Sequence, residues 1–209
     1  MPPATALAPV PAPGSAGGLA TAPAPGSAEE LPSRCPADLL TALRRAVRQH
    51  GDWDQTARRV ARALRRHLPG PEILTTTERE GDPGEYRSHL MHAEPDGSFS
   101  VVGLVWRPGQ ITPIHDHVTW CVIGVLQGAE YEELFALREG GTVLEEVGTN
   151  AGAPGDVSGF APPGDIHRVR NRGTGVAISL HVYGADISRL GSSVRRVYDL
   201  PVRTALAAR

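Results

Sequence analysis

The spacing of apolar side chains divides the chain into a helical part and a longer part made of short strands. Between residues 35 and 68, leucine, valine and alanine side chains recur every three or four positions, which is typical of amphipathic helices. Gly51 interrupts this spacing, and either Asp52 or Asp54 can cap a second helix that a Pro-Gly pair then ends. The pattern therefore predicts two α-helices, and the arginine pairs on them are interpreted as solvated faces.

Beyond the second helix, the apolar period shortens to two. Runs such as 99–106 and 176–184 alternate between apolar and polar positions, and Gly, Pro or Asp residues separate one run from the next. Short strands at such close intervals are typical of antiparallel sandwiches and barrels. The sequence thus predicts a mainly β domain over residues 71–200, with a short closing helix near residues 188–198.

The ends of the chain differ from this body in composition. Residues 1–33 consist mostly of proline, alanine and glycine, so ordering them would cost backbone entropy with little burial in return. They contain neither the charged start nor the apolar core of a secretory signal. The predicted organisation is a disordered extension over 1–33, a helical segment over 34–70, the β domain over 71–200 and a tail over 201–209.

Composition and charge narrow the functional classes. The chain carries 21 Lys+Arg against 23 Asp+Glu, a formal net charge of -2, whereas nucleic-acid binders carry a basic excess. No apolar run approaches the ~18 residues that a membrane-spanning helix needs. The two cysteines are too few for a disulfide framework, which favours a reducing compartment. We therefore expect a cytoplasmic protein, monomeric or a small homo-oligomer, with neither nucleic acid nor membrane as partner.

The strongest chemical signal is a pair of histidines, His115 and His117, on a predicted strand. Alternate strand residues point to one face, so both imidazoles project together and can chelate a divalent transition metal. Alone, this pair would equally be two polar side chains on one face. The surrounding pattern is more specific: it reads G-x5-H-x-H-x3-C-x6-G from Gly109 to Gly128, and a later block with His167 reads P-x-G-x2-H-x3-N.

These two blocks resemble the paired motifs of the cupin superfamily. The resemblance implies a mainly β fold, the cupin double-stranded β-helix or jelly-roll barrel, preceded here by two α-helices and holding a metal ion inside the barrel. The chain departs from the usual motifs in two places: the spacing from Gly155 to Pro162 is one residue longer, and Cys121 replaces the metal-binding glutamate. The ligands that the resemblance implies are His115, His117 and His167.

The cysteine at this position points to one branch of the superfamily. Over roughly residues 72–200, and above all in HDHVTWCVIGVLQG and SLHVYG, the chain resembles the cysteine dioxygenase family of thiol dioxygenases. The resemblance implies Fe(2+) as cofactor and a small thiol and O2 as substrates, with the thiol converted to a sulfinic acid. Ser179, His181 and Tyr183 alternate along one predicted strand and share a face, where they match the family's relay beside the iron.

The resemblance also suggests residues for a cross-link and for substrate binding. Some members join a cysteine to the relay tyrosine through a thioether, so a link between Cys121 and Tyr183 is a hypothesis here. A substrate carboxylate suits the planar fork of an arginine. Arg87 lies on the strand that carries this arginine in one branch, and Arg196, in the Arg195–Arg196 pair, is similar to an arginine used in another. Each of these arginines would equally be an exposed side chain.

The predicted function is a non-haem iron thiol dioxygenase that oxidises L-cysteine to cysteine sulfinic acid. An alternative substrate is 3-mercaptopropionate or another small carboxylated thiol. A third hypothesis is a cupin that binds a metal or ligand without turnover. Such a protein has no need of the row formed by Ser179, His181 and Tyr183.

Overall fold

The computed structural model describes residues 33–204. The disordered extension predicted over residues 1–33 lies outside the described residues except for Ser33. Within the described part of the chain, none of the helices is long and apolar enough to cross a membrane. The α-helices are α1 (Ala37–Val47), α2 (Trp53–Arg66), α3 (Thr76–Arg79) and α4 (Ile187–Leu190).

The body of the described chain is built of β-strands. The runs predicted as strands at 99–106 and 176–184 form the second and the ninth of them. In chain order the strands are β1 (Arg87–Ala93), β2 (Ser100–Trp106), β3 (His115–His117), β4 (Cys121–Gln127), β5 (Glu130–Arg138), β6 (Val143–Gly152), β7 (Val157–Phe160), β8 (His167–Arg170), β9 (Ala177–Tyr183), β10 (Val194–Val197) and β11 (Val202–Arg203).

The strands form two sheets whose side chains meet in a shared interior. One sheet has the order β1-β2-β9-β4-β7, and the other has the order β10-β3-β8-β5-β6-β11. Strand β11 lies parallel to β6, while the pairs that build the interior are antiparallel. Leu104 on β2, Ile123 on β4 and Val169 on β8 belong to one buried cluster. This is the cupin double-stranded β-helix with two helices before it, so the predicted fold class is confirmed.

Helices α1 and α2 cover the outer face of the five-stranded sheet. Leu43 and Leu64 on these helices are fully buried and lie in one apolar cluster with Val122 of the sheet. Helix α2 begins after Asp52, whose side chain accepts a hydrogen bond from the Gln55 amide at 2.7 Å. Of the two capping residues that the sequence allowed, the structure therefore selects Asp52.

The chain after β9 differs from the sequence prediction. The helix expected near residues 188–198 is wrong beyond its first turn, because α4 ends at Gly191, whose φ of 80° lies in the left-handed region. Residues Val194–Val197 instead form β10 and pair with β3. The segment predicted as a tail begins with β11, which places Val202 opposite Leu144. Both strands pair with partners far away in sequence, which a local pattern does not reveal.

Candidate metal centre

Three buried histidines meet inside the barrel. His115 and His117 lie on β3, and His167 on β8 is the direct cross-strand partner of His115. Their exposed fractions are 7%, 3% and 2%. The Nε2 atoms of His115 and His167 are 3.3 Å apart, and one nitrogen from each of the three rings lies within 4.8 Å of the others. The structure thus brings together the three residues that the sequence selected as metal ligands.

The second nitrogen of each ring, Nδ1, is within hydrogen-bond distance of an oxygen acceptor. An imidazole that donates a hydrogen bond from Nδ1 carries its lone pair on Nε2, which is the form that binds a metal. Three Nε2 lone pairs facing one point are a donor set that suits divalent transition metals. The contacts are His115 Nδ1 with the Pro113 carbonyl at 3.0 Å, His117 Nδ1 with Asp165 at 3.2 Å and His167 Nδ1 with Glu132 at 2.6 Å.

Electrostatics favour neutral rings at this centre. Burial, reinforced by the neighbouring His167 and His117, holds the pKa of His115 well below its usual value. Burial also lowers the pKa of His117, although the hydrogen bond to Asp165 works against this. Burial is the largest influence on Glu132 and would raise its pKa, but the hydrogen bonds from His167 and Asn150 and the charges of His167 and His181 together lower the pKa. The lowered pKa values of His115 and His117 favour rings that carry a free lone pair for a cation.

The row predicted on β9 is a continuous hydrogen-bonded chain. The His181 ring accepts or donates on both sides: Nε2 lies 3.0 Å from Ser179 Oγ, and Nδ1 lies 3.3 Å from the Tyr183 hydroxyl. The Trp106 indole donates to Ser179 Oγ at 3.3 Å. The Tyr183 and His117 ring centroids are 6.3 Å apart. The structure therefore places the predicted relay beside the three-histidine cluster.

Cys121 lies next to this relay on β4. It is the direct cross-strand partner of Tyr183, it is fully buried, and its Sγ is 3.9 Å from His181 Nδ1. Burial raises the pKa of this thiol well above its usual value, and it raises the pKa of the Tyr183 hydroxyl in the same way. The two side chains are placed side by side, and the thioether between them stays a prediction.

The substrate-binding role expected for Arg87 receives no support from the structure. Arg87 is opposite Val105, a residue whose side chain packs toward the helices, so both face away from the interior. The guanidinium pairs with Asp82 at 2.6 Å and with Glu85 at 3.0 Å. Arg87 stands one residue out of phase with the inward-facing side chains of β1, and its role in substrate binding stays a prediction.

Arg196 and its neighbour Arg195 are not brought to the histidines either. Both guanidinium groups pair with Asp116, at 3.4 Å and 2.5 Å respectively. Asp116 stands between the two inward-facing histidines of β3, so its own side chain points outward. Tyr198 also donates a hydrogen bond to this carboxylate, at 2.8 Å. The arginine pair therefore serves the outer face of the six-stranded sheet in this structure.

Several functional residues were missed by sequence reasoning. Asp165 and Glu132 orient two of the histidines, and the Phe160 ring packs on His117 and His167 with centroids 5.1 Å and 4.9 Å apart. Asp165 stands two positions before His167, and this proximity could have suggested it. Glu132 and Phe160 gave no such signal, because only the pairing of distant strands brings them to the site.

The fold and the site define a cupin whose interior carries a candidate three-histidine metal centre beside a Ser-His-Tyr row. The sequence profile of the family described as cysteine dioxygenase type I matches residues 76–192, more than half of the chain. The chain belongs to this cysteine dioxygenase type I family.

Solved structures similar to part of the chain include other cupins. A Cupin 2 conserved barrel domain protein from Salinispora arenicola is 19% identical over 49% of this chain and 78% of its own, with a TM-score of 0.37. The Cupin_2 domain of an XRE family transcriptional regulator from Enterobacter cloacae is 15% identical over 46% of this chain and 93% of its own, with a TM-score of 0.35. A recombinant oxalate oxidase in complex with glycolate is 17% identical over 50% and 53% of the two chains, with a TM-score of 0.40. The family assignment rests on the sequence match.

Proposed function

We propose that the protein is an iron-dependent thiol dioxygenase that oxidises L-cysteine to cysteine sulfinate. The observation that carries this proposal is the cluster of one nitrogen from each of three histidine rings, within 4.8 Å of one another and beside the Tyr183 ring, in a chain of the cysteine dioxygenase type I family. Bound iron would supply the redox chemistry that lets O2 react with a thiol. The residues that would hold it are His115, His117 and His167.

The buried side chains around this centre hold a proton on the Tyr183 hydroxyl and exclude water. Tyr183 is only 7% exposed, and the raised pKa of its buried hydroxyl keeps this group protonated at neutral pH. It can therefore donate a hydrogen bond to substrate or oxygen, while His181 and Ser179 fix its direction. In a dry interior such a hydrogen bond is stronger than in water. The row thus orients the reactants rather than only filling the core.

The substrate has to be a small thiol because the interior is closely packed. Cys121 and Trp106 are at most 1% exposed, and the Tyr86 ring stacks on Trp106 at 4.4 Å. The three arginines considered for the carboxylate are paired with carboxylates of the chain itself. 3-Mercaptopropionate therefore stays an alternative to L-cysteine, since both would undergo the same oxidation.

Oxygen uptake tests this proposal. Protein loaded with Fe(2+) under argon is mixed with O2 and either L-cysteine or 3-mercaptopropionate at equal concentration, and the product is identified by mass spectrometry. Uptake of one O2 per sulfinate formed from L-cysteine is the expected result. Sulfinate from 3-mercaptopropionate alone would keep the reaction and change the substrate. Iron-loaded protein that consumes no O2 with any small carboxylated thiol would refute the reaction.

A substitution in the relay separates catalysis from binding without turnover. Replacing Tyr183 by phenylalanine removes the donor and should lower kcat on the order of 10²-fold. Tyr131→Phe is the control, because that ring lies on the outer face of β5 against Arg172. Equal activity in both variants would favour a protein that does not use the row for chemistry.

A further inference from the structure

A cavity that is open to solvent reaches buried side chains of β4 and β5. It has a volume of about 280 Å³ and lies where β4 and β5 face β6 and β7. Its rim carries the exposed residues Asn150, Asp156 and Ser158, and its inner wall carries the buried carboxylates of Glu130 and Glu132. A solvent-open cavity thus ends on two acidic groups directly behind the candidate metal centre.

The two carboxylates differ in their partners. Glu132 uses both oxygens, one with His167 at 2.6 Å and the other with the Asn150 amide at 2.9 Å. Glu130 is only 6% exposed, and within residues 33–204 its Oε2 has no hydrogen-bond partner. The imidazole Nε2 of His181 stands 3.8 Å from this oxygen. A buried carboxylate oxygen without a partner costs free energy, so this arrangement needs a compensating reason.

The His181 ring joins this carboxylate to the relay. Its Nδ1 faces the Tyr183 hydroxyl, and its Nε2 faces both Ser179 and Glu130. One ring therefore bridges the hydroxyl beside the metal centre and a carboxylate that lines the solvent-open cavity. We propose that Glu130 is the outer, proton-accepting end of the Ser179–His181–Tyr183 relay and that protons leave the site through this cavity. The inference rests on the proposed thiol dioxygenase function.

The reaction requires such an exit. A thiol and O2 give a sulfinate and one proton: the S–H bond breaks, two S–O bonds form, and sulfur gives four electrons to O2. The proton would pass to the Tyr183 oxygen while the hydroxyl proton moves to His181 Nδ1. The Nε2 proton would then move to Glu130 Oε2 and on to water in the cavity. The 3.8 Å gap exceeds a hydrogen bond, so the carboxylate has to approach by about 1 Å for this transfer.

The charged and titratable groups that face Glu130 lie on its own strand and on four other parts of the chain. Their effects differ, because a second carboxylate raises the free-energy cost of ionising a carboxyl group and a guanidinium lowers it. The facing groups are Glu132 on β5, His181 on β9, Cys121 on β4, Arg65 on α2 and Asp156 in the turn before β7.

A matched pair of variants tests this role. Glu130→Gln keeps the shape and removes the proton acceptor, and we expect kcat to fall on the order of 10²-fold with KM and bound iron unchanged. Glu133→Gln removes the same charge three positions further along β5, on the outer face, where the carboxylate pairs with Arg168 and Arg170. That variant should keep the activity of the unaltered protein. Equal kcat values for all three proteins would overturn the proposal.

Two further readouts separate a proton acceptor from a structural residue. Formate should restore turnover to Glu130→Ala, because it can enter the cavity and accept the proton there, and a loss that formate does not rescue would count against the proposal. In metal-free protein, the ring NMR signals of His181 should shift in Glu130→Gln and keep their positions in Glu133→Gln, because Glu130 lies beside this ring and Glu133 faces away from it. His181 signals that are the same in both variants would refute the contact even if no thiol is oxidised, so this failure is distinct from failure of the proposed function.

Discussion

The Nδ1 atoms of the three interior histidines are each held by an oxygen atom, from the nearby Pro113 carbonyl for His115 and from distant carboxylates for the other two. This arrangement fixes the rotation of the rings and leaves Nε2 as the free donor atom. The alternation of side chains along a strand also decides which neighbouring residues reach the metal centre. Asp116 stands between two inward-facing histidines and yet lies on the outer face, where it pairs with arginines. A shift of one residue therefore separates a candidate ligand from a buried carboxylate on the opposite face of the strand.

Removing the support of one histidine should weaken metal binding without removing a ligand. Glu132→Gln loses the charged acceptor of His167, and we expect the affinity for Fe(2+) to fall about 10–100-fold. Titration of metal-free protein with Fe(2+) under argon measures this constant. Glu133→Gln is the control, because it lies on the same strand and faces the other way. An affinity that stays the same in Glu132→Gln would contradict the role given to this contact.

The thioether between Cys121 and Tyr183 is testable by peptide mass. The link would form by loss of two hydrogen atoms to O2, and the two residues face each other across β4 and β9. After turnover in air, tryptic digestion should yield one joined ion in place of peptides 88–138 and 173–189, two hydrogens lighter than their sum. The Cys121→Ser variant should give both peptides separately. Separate peptides at full mass in the unaltered protein would refute the link.

At the scale of elements, helix α2 packs closely against strand β4 because Gly124 on this strand has no side chain. A Cβ atom on Gly124 would lie 2.6 Å from Leu68 Cδ1 and 3.1 Å from Leu64 Cδ2, so a larger residue there would displace the helix. Leu64 is fully buried in this contact. The strand that carries Cys121 toward the interior is thus held from behind by a helix that was predictable from its own periodicity.

The cap of α2 should contribute measurably to stability. Asp52→Ala removes the acceptor of the Gln55 amide, and we expect the free energy of unfolding to fall by about 1 kcal/mol. Asp54→Ala is the matched control, because Asp54 lies in the first turn and does not accept this bond. Urea unfolding of both variants measures the difference. Equal losses would show that charge near the helix start, rather than the cap, accounts for the effect.

At the scale of the whole molecule, three layers are stacked: the two helices, the five-stranded sheet and the six-stranded sheet. Arg34, at the start of the described chain, joins the segment before α1 to the five-stranded sheet, since its amide donates to the Met91 carbonyl of β1 at 2.9 Å. Its guanidinium also donates to both oxygens of Glu78, at 2.8 Å and 2.5 Å. This ion pair links the segment before α1 to α3, and both side chains remain partly solvated.

Acid should weaken the ion pair between Arg34 and Glu78 over a defined pH range. The hydrogen bond from Arg34, above all, lowers the pKa of Glu78 from 4.5 to about 2. Because the folded carboxylate has the lower pKa, its contribution is complete above 4.5 and is lost as the pH falls toward 2. We expect Glu78→Gln to be less stable than the unaltered protein by about 1 kcal/mol or less at neutral pH, with the gap closing at pH 2.

Urea unfolding at a series of pH values measures this gap. Glu72→Gln is a suitable control, since Glu72 is exposed in the preceding turn. A gap between Glu78→Gln and the unaltered protein that stays constant from neutral pH to pH 2 would contradict the lowered pKa.

The sequence by itself determined the two helices, the strands with clear alternation and the three histidines. These features are local: a period of 3.6 or 2, a capping residue, or ligands spaced along one strand face. The Ser179–His181–Tyr183 row could be predicted for the same reason, since residues two apart on one strand must share a face.

Only the tertiary structure decided which charged groups reach the interior. The carboxylates that hold His117 and His167 lie 48 and 35 residues away in sequence, and no local pattern specifies these contacts. The ion pairs of Arg87 and Arg196 could not be read from the sequence, because a shift of one residue in register moves a side chain to the opposite face of its sheet. Glu130 gains its position beside His181 and the cavity in the same way, through the packing of β5 against β9.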